Sequence, residues 1–255
     1  MSSVNQVKKT SKKHPILEIT HLTKKVGKSL LLEDINLTIE KGEVFGFLGP
    51  NGAGKTTTMK CILGIMKPTS GGVSIFDSNI DDIAIRKRIG FMPENTYLYK
   101  YLTGDEFLDF NGAFYGLHGE ELTKRKDIIL EKVGLTHARD KRLNAYSKGM
   151  LQRIGLAQAI LHDPELIFLD EPMSWLDPIG RKMVKDLMLE LKKEGKTLFF
   201  NTHILSDVEA ICDTFAIISL GKIIANMRVD ELREPLEDYF MSQIDETALH
   251  ISKLQ

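Results

Sequence analysis

Gly49-Pro50-Asn51-Gly52-Ala53-Gly54-Lys55-Thr56 is the stretch on which the reading of this chain turns. Before it, Val44 to Leu48 reads as a buried strand; after it, Lys55 to Leu63 reads as a helix that ends near Gly64 and Pro68. The run fits G-x-x-x-x-G-K-[ST] in the strand-then-helix context that gives the pattern meaning. Its glycines allow a tight loop whose N–H groups turn inward around phosphate oxygens, and the helix N-terminus adds partial positive charge at the same place. On this reading Gly49, Pro50, Asn51, Gly52, Ala53 and Gly54 cradle a nucleotide's phosphates. Lys55 bridges the β and γ phosphates, Thr56 offers a hydroxyl to Mg²⁺, and Thr57 reaches the α phosphate. An ordinary glycine-rich turn is the competing reading. The full match with both flanks in place makes it the weaker one.

Outward from the loop, short apolar runs alternate with segments of helical period. That is the pattern of an α/β protein, here a P-loop NTPase core with a mostly parallel sheet. Ile16 to Ile19 and Leu30 to Ile39, turned at Gly27 and Lys28, read as an N-terminal antiparallel β part. Val73 to Phe76 and Ile89 to Met92 read as further strands. From about Thr103 to His162 three successive helices break the alternation, carried by Phe107, Leu108, Phe110 and Phe114, by Ile128, Ile129, Leu130 and Val133, and by Leu151, Ile154, Gln158 and Leu161. We read them as a helical subdomain inserted at about residues 93–162. Strands resume at Leu166 to Leu169, Thr197 to Asn201 and Thr214 to Leu220. The expected organisation is a basic disordered tail over 1–14, a core domain over 15–228 and a short, weakly patterned C-terminal extension over 229–255.

Leu166-Ile167-Phe168-Leu169-Asp170-Glu171-Pro172 puts two acids at the end of an apolar strand. In a parallel sheet that end opens onto the ligand crevice. Asp170 suits the Mg²⁺ position, and Glu171 suits a general base that deprotonates an attacking water. Alone the pair is weak evidence, since acids at a strand end also cap the next helix. Beside the phosphate loop it gains weight.

The composition sets bounds. A chain of 255 residues can bury a large core in one domain or a domain with an insertion. With 42% hydrophobic and 27% charged residues it is ordinary globular material, which excludes a wholly disordered chain. A formal net charge of -1 provides no global field toward nucleic acid or membrane, so no nucleic-acid partner is expected. Lys8, Lys9, Lys12 and Lys13 stand without an apolar stretch behind them, which suits a solvated tail rather than a secretory leader, with weak attraction to anionic lipid as the alternative. No run approaches the roughly 20 apolar residues of a membrane span. Cys61 and Cys212 lack metal-like spacing and read as buried free thiols.

Three further segments carry a resemblance. Tyr146-Ser147-Lys148-Gly149-Met150-Leu151-Gln152-Arg153 is similar to an L-S-G-G-Q signature that opens a helix, and Ser147 lies 23 residues before Asp170. Ser174-Trp175-Leu176-Asp177-Pro178 resembles a D-loop, and Asn201-Thr202-His203 a switch-histidine segment. With the loop and the two acids in family order across roughly residues 16–225, the sequence resembles the ATP-binding subunits of ATP-binding-cassette transporters. The resemblance implies an ATPase with ATP and Mg²⁺ as cofactors, a second nucleotide-binding subunit as partner and an integral-membrane transporter subunit beside them. It implies a cytoplasmic chain, peripheral on the cytoplasmic face of a membrane through that partner. It also implies that Ser147 and Gly149 meet the γ phosphate of ATP held by the partner subunit, and that His203 stands against the γ phosphate near Glu171. Ser147 is equally a good helix N-cap, and Asp177 before a proline is equally a turn or cap residue.

Departures from the family pattern are specific. Lys148 and Met150 stand where the signature usually has glycine and glutamine, and a lysine there is similar to export-type subunits. Glu94 replaces the Q-loop glutamine, from where it would still meet Mg²⁺ or water. Val26 replaces the aromatic that stacks on adenine, which leaves the choice between ATP and GTP open. Trp175 replaces the D-loop glycine. Tyr97, Tyr99 and Tyr101 read either as partial core or as an exposed surface for a membrane subunit. Two other functional classes fit less well. A cassette ATPase acting on ribosomes or DNA often carries two cassettes or long coiled-coil insertions, and Glu171 and His203 argue against a nucleotide sensor, while Glu94 and Val26 leave room for one.

Overall fold

The computed structural model describes residues 15–95 and 98–252, the last eight of these as backbone only. The basic segment 1–14 and Tyr97 lie outside the described residues. β1 (Pro15–Val26) and β2 (Ser29–Glu40) form an antiparallel hairpin turned at Gly27, whose φ of 57° suits a residue without a β-carbon. β3 (Val44–Leu48) is buried throughout and leads into the glycine-rich loop and α1 (Lys55–Ile62). β4 (Ser70–Ile75) then pairs antiparallel with the other edge of β1, which gives a three-stranded sheet in the order β2-β1-β4.

The rest builds one six-stranded sheet. α2 (Ile83–Arg86) and β5 (Ile89–Met92) come first, followed by α3 (Gly104–Phe114), α4 (Gly119–Lys132) and α5 (Lys148–Ile160), with no strand between these three helices. β6 (Leu166–Asp170), α6 (Pro178–Lys193), β7 (Thr197–Thr202), α7 (Leu205–Ile211), β8 (Thr214–Ser219), β9 (Lys222–Arg228) and α8 (Leu236–Ser252) complete the chain. The strand order is β5-β6-β7-β3-β8-β9, parallel except for β9, which runs antiparallel to β8.

The period of two along a strand divides the core. Phe45, Phe47, Phe168 and Phe199 face the antiparallel sheet and α1, where they join Leu17, Ile19, Ile39 and Met59. Phe199 is the hub of that layer, with ring centroids 5.4 Å from Phe45, 5.6 Å from Phe47 and 5.4 Å from Phe168. Ile167, Leu169, Leu198 and Phe200 point the other way, into a second layer shared with Leu108, Leu130, Leu156 and Val184 of the helices. Thr103 and Glu106 cap the start of α3 reciprocally. Asp105 then ties α3 to α4 through Lys126 at 2.7 Å and accepts from Arg139 at 2.6 Å.

Several elements differ from the expectation. β1 runs seven residues past Ile19, and neither β9 nor α8 was anticipated. α8 is held by few contacts at its start. Leu236 is buried, Tyr239 and Phe240 pack partly against the core, and the Leu236 amide donates to Glu209 at 2.8 Å. Among the residues whose side chains are described, these anchors lie in the first turns of the helix. Cys61 is buried as expected, but Cys212 is only half-buried, and both thiols are free.

His162, just past α5, joins the helices to the sheet. Its ring lies 3.5 Å from that of Tyr115 and nearly parallel to it, while Nε2 donates to the Ile89 carbonyl at 3.0 Å. Nδ1 is buried without a partner, and burial holds the imidazole's pKa down to about 4. The unfolded imidazole takes up a proton near pH 6.5, whereas the folded one resists until about 4. Stability is therefore lost as pH falls through that window, by up to about 3 kcal/mol from this group. His162→Phe keeps the stacked ring and removes the titration. Urea unfolding at pH 7 and pH 5 should show a smaller loss in that variant than in the wild type, and equal losses would remove His162 from this role.

Candidate functional site

The C-terminal ends of β3, β7 and β6 lie side by side, and each delivers part of one site. The loop after β3 is shaped by its glycines. A β-carbon on Gly49 would collide with the Ile218 carbonyl oxygen, and one on Gly54, at φ 116°, would stand 2.8 Å from Leu32. Gly52, at φ 80°, faces open space. Pro50 to Thr57 line a cleft of about 350 Å³ together with Leu31, Glu94 and Glu171. Lys55 is 7% exposed and curls into the loop, donating to the Gly49 carbonyl at 2.6 Å and the Pro50 carbonyl at 3.2 Å. Burial pushes the Lys55 pKa down, and the charges of Glu171, Asp170 and Glu94 pull it back up. The ammonium is thus a desolvated cation aimed into a cleft whose far side is acidic.

Asp170 ends the buried strand β6 at 2% exposure. Thr56 donates its hydroxyl to Oδ2 at 2.9 Å, and the Asn201 amide donates to Oδ1 at 2.8 Å. Oxygen donors of this hardness fit Mg²⁺, which usually takes one or two protein ligands and completes its shell with phosphate oxygens and water. Glu94 is exposed at the rim of the same cleft.

Glu171 is one residue further on and adopts φ 53°, which turns the chain sharply out of the strand. Its amide donates to the Asn201 carbonyl at 3.1 Å, and its own carbonyl accepts from Gln152 Nε2 at 2.8 Å. His203, just beyond β7, places Nδ1 3.0 Å from both carboxylate oxygens, and Ser174 donates to Oε2 at 3.4 Å. The Glu171 side chain is 10% exposed and that of His203 51%. A carboxylate gripped by an imidazole and still lining the cleft can take a proton from a water placed there.

Ser147 and Gly149 stand apart from this cleft. Ser147 caps α5, accepting from the Met150 amide at 3.2 Å, and Asp177 caps α6, accepting from the Gly180 amide at 2.7 Å. These residues, with Gly149, Lys148 and Trp175, line a separate cleft of about 400 Å³ that shares no residue with the loop cleft. The structure thus brings together Gly49 to Thr57, Asp170, Glu171, His203 and Glu94, and leaves Ser147 and Gly149 outside. Val26 is 53% exposed at the hairpin tip, whereas Leu31 of β2 lines the loop cleft. Leu31 and Gln152, and Asn201 as the partner of Asp170, were missed from the sequence. A polar residue inside the buried strand β7 was the available signal for Asn201.

The ABC transporter family's sequence model matches residues 32–174. An uncharacterized ABC transporter ATP-binding protein of Nostoc sp. is 49% identical over 207 residues, which is 80% of this chain and 62% of that protein's length. The bacitracin transport ATP-binding protein BcrA of Bacillus licheniformis is 40% identical over 234 residues, covering 91% of this chain and 76% of that protein. A dimeric ATP-binding cassette in a post-hydrolysis state, bound to ADP and Pi, superposes with a TM-score of 0.77 at 28% identity, covering 84% of this chain and 98% of that one.

The glycine geometry sets unequal tolerances in the loop. Gly52→Ala meets only the left-handed backbone and should cost about 1 kcal/mol. Gly49→Ala carries no left-handed strain but must displace the Ile218 backbone, and should cost about 3 kcal/mol. Chemical denaturation of the two variants checks this ranking, and equal costs would contradict it.

Proposed function

The chain belongs to the ABC transporter family, and from that premise we propose that it is the ATP-hydrolysing motor subunit of a membrane transporter, working in the export direction. The observation that carries this reading is Glu171, which lines the loop cleft with Lys55 and is held by His203. Gly49 to Thr57 bind the phosphates through backbone N–H groups and the start of α1. Glu171 accepts the proton of the attacking water, and His203 holds the carboxylate in place. Lys55 moves from the loop carbonyls onto the β and γ phosphates, where its charge stabilises the departing phosphoryl group. Mg²⁺, when bound, would supply charge neutralisation on those phosphates, with Thr56, Asp170 and Glu94 to hold it.

Ser147 and Gly149 open α5 in a cleft separate from the chain's own loop cleft, where they can face a second subunit while the Ser147 hydroxyl still caps the helix. In the proposed assembly two copies, or this chain and a relative, clamp two ATP molecules head to tail. The dimeric cassette with ADP and Pi supports a two-subunit assembly by likeness. The membrane partner is an integral transporter subunit, which would place this chain on the cytoplasmic face. Tyr99, Phe110 and Phe114 form an exposed ladder of edge-on rings, each pair 5.0 Å apart, that suits a helix of that partner. Lys148 supports export, and the likeness to a bacitracin transport protein supports a role in transport. Among the described residues no helix is long and apolar enough to cross a membrane.

Glu171→Gln removes the base and leaves the cradle intact. ATP turnover should fall by about 10²- to 10⁴-fold while ATP affinity stays within about threefold of the wild type. Phosphate release and nucleotide titration read the two quantities separately. Near-normal turnover would take Glu171 out of the role of base.

A further inference from the structure

Lys148 and Gln152 are one turn apart on α5 and so share a face of the helix. Together they grip both ends of the turn that starts at the candidate base. Gln152 donates to the Glu171 carbonyl at 2.8 Å, and the Lys148 ammonium sits 4.2 Å above the centroid of the Trp175 ring. Both gripped residues are in the left-handed backbone region, Glu171 at φ 53° and Trp175 at φ 65°. A bulky side chain is strained there, and such residues persist where their surroundings over-determine them. Gly149 backs onto the same turn, since a β-carbon on it would come within 3.5 Å of the Trp175 carbonyl oxygen. Burial does little to fix the indole, which is 65% exposed. An ammonium over its face is the kind of contact that can. The pair also forms a wall common to two clefts, one reaching Glu94 and Tyr99, the other Ser147 and Gly149.

We infer that Lys148 and Trp175 are positioning residues that clamp the Glu171–Trp175 turn onto the start of α5. The clamp sets the direction of the Glu171 carboxylate and ties it to Ser147 and Gly149 of the same subunit. The inference about turnover rests on the proposed ATPase reading. The contact itself can be read without it.

Trp175 is the only tryptophan in the chain, so its fluorescence reports on the contact directly. The full-length wild type, Lys148→Met, Lys148→Arg and Trp175→Phe are compared for tryptophan emission where present, acrylamide quenching, thermal melting and Mg-ATP turnover. Lys148→Met should shift the emission, raise quenching and lower kcat about fivefold with KM for ATP unchanged. Lys148→Arg keeps a cation over the ring and should restore both readouts, while Trp175→Phe should give a smaller loss of kcat than Lys148→Met. Unchanged emission or unchanged kcat in Lys148→Met that melts normally would overturn the inference. So would equal losses in Lys148→Met and Lys148→Arg. If Lys148→Met does not fold, wild-type kcat in Trp175→Phe together with a kcat loss in Lys148→Arg would overturn it. A wild type without turnover whose emission still responds to Lys148→Met would sink the ATPase reading and leave the contact standing.

Discussion

A carboxylate at the end of a fully buried strand has to be satisfied where it stands, and Asp170 is that carboxylate. Left unpaired at 2% exposure it would cost several kcal/mol. Its two oxygens instead accept from Thr56 on α1 and Asn201 on β7, so one side chain joins β6, β7 and the helix that follows the loop. The Glu171 amide donating to the Asn201 carbonyl extends the tie by one residue. The loop, the acid and the base candidate thereby take fixed positions relative to one another. The two core layers, one built on Phe199 and the other on Phe200, hold those strand ends in register.

The electrostatics follow from this arrangement. Lys55 is desolvated and in the meantime satisfied by carbonyls of its own loop, while the charges of Glu171, Asp170 and Glu94 favour the ammonium. A phosphate entering the cleft offers the ammonium better acceptors than two carbonyls, because hydrogen bonds between ionised groups are the strong ones. Glu171 is in the opposite position, with His203 on one side and the cleft on the other. Cation and base are both held by groups that a reacting nucleotide can replace or leave undisturbed.

What was legible in the sequence was chemistry local to the chain. The loop could be read because its glycine positions are dictated by a turn, a carbonyl collision at Gly49 and the start of a helix within eight residues. β3, β5 and β6 could be read because strands buried on both faces are continuous apolar runs. Features set by distant contacts were not legible. β9 is an edge strand whose half-exposed residues lack a clean alternation, and α8 meets the core through Leu236, Tyr239 and Phe240, contacts that its sequence does not announce. Leu31 reaches the cleft because the hairpin folds over the loop, where Gly221 bridges Glu33 and Ala53 through backbone hydrogen bonds. The tyrosines were ambiguous from sequence, since an aromatic serves core and surface alike. Tyr99 and Tyr101 turn out to be exposed. Trp175, unexplained by its neighbours in sequence, has its partner 27 residues earlier in Lys148.

A site that drives a membrane partner should leave the chain attached to that partner in its native membranes. Membranes are solubilised with ATP present, the chain is isolated, and the proteins that accompany it are identified and quantified. A multi-spanning membrane protein at near-equal amounts is the expected result. Recovery from the soluble fraction alone, or with ribosomes or nucleic acid, would contradict it.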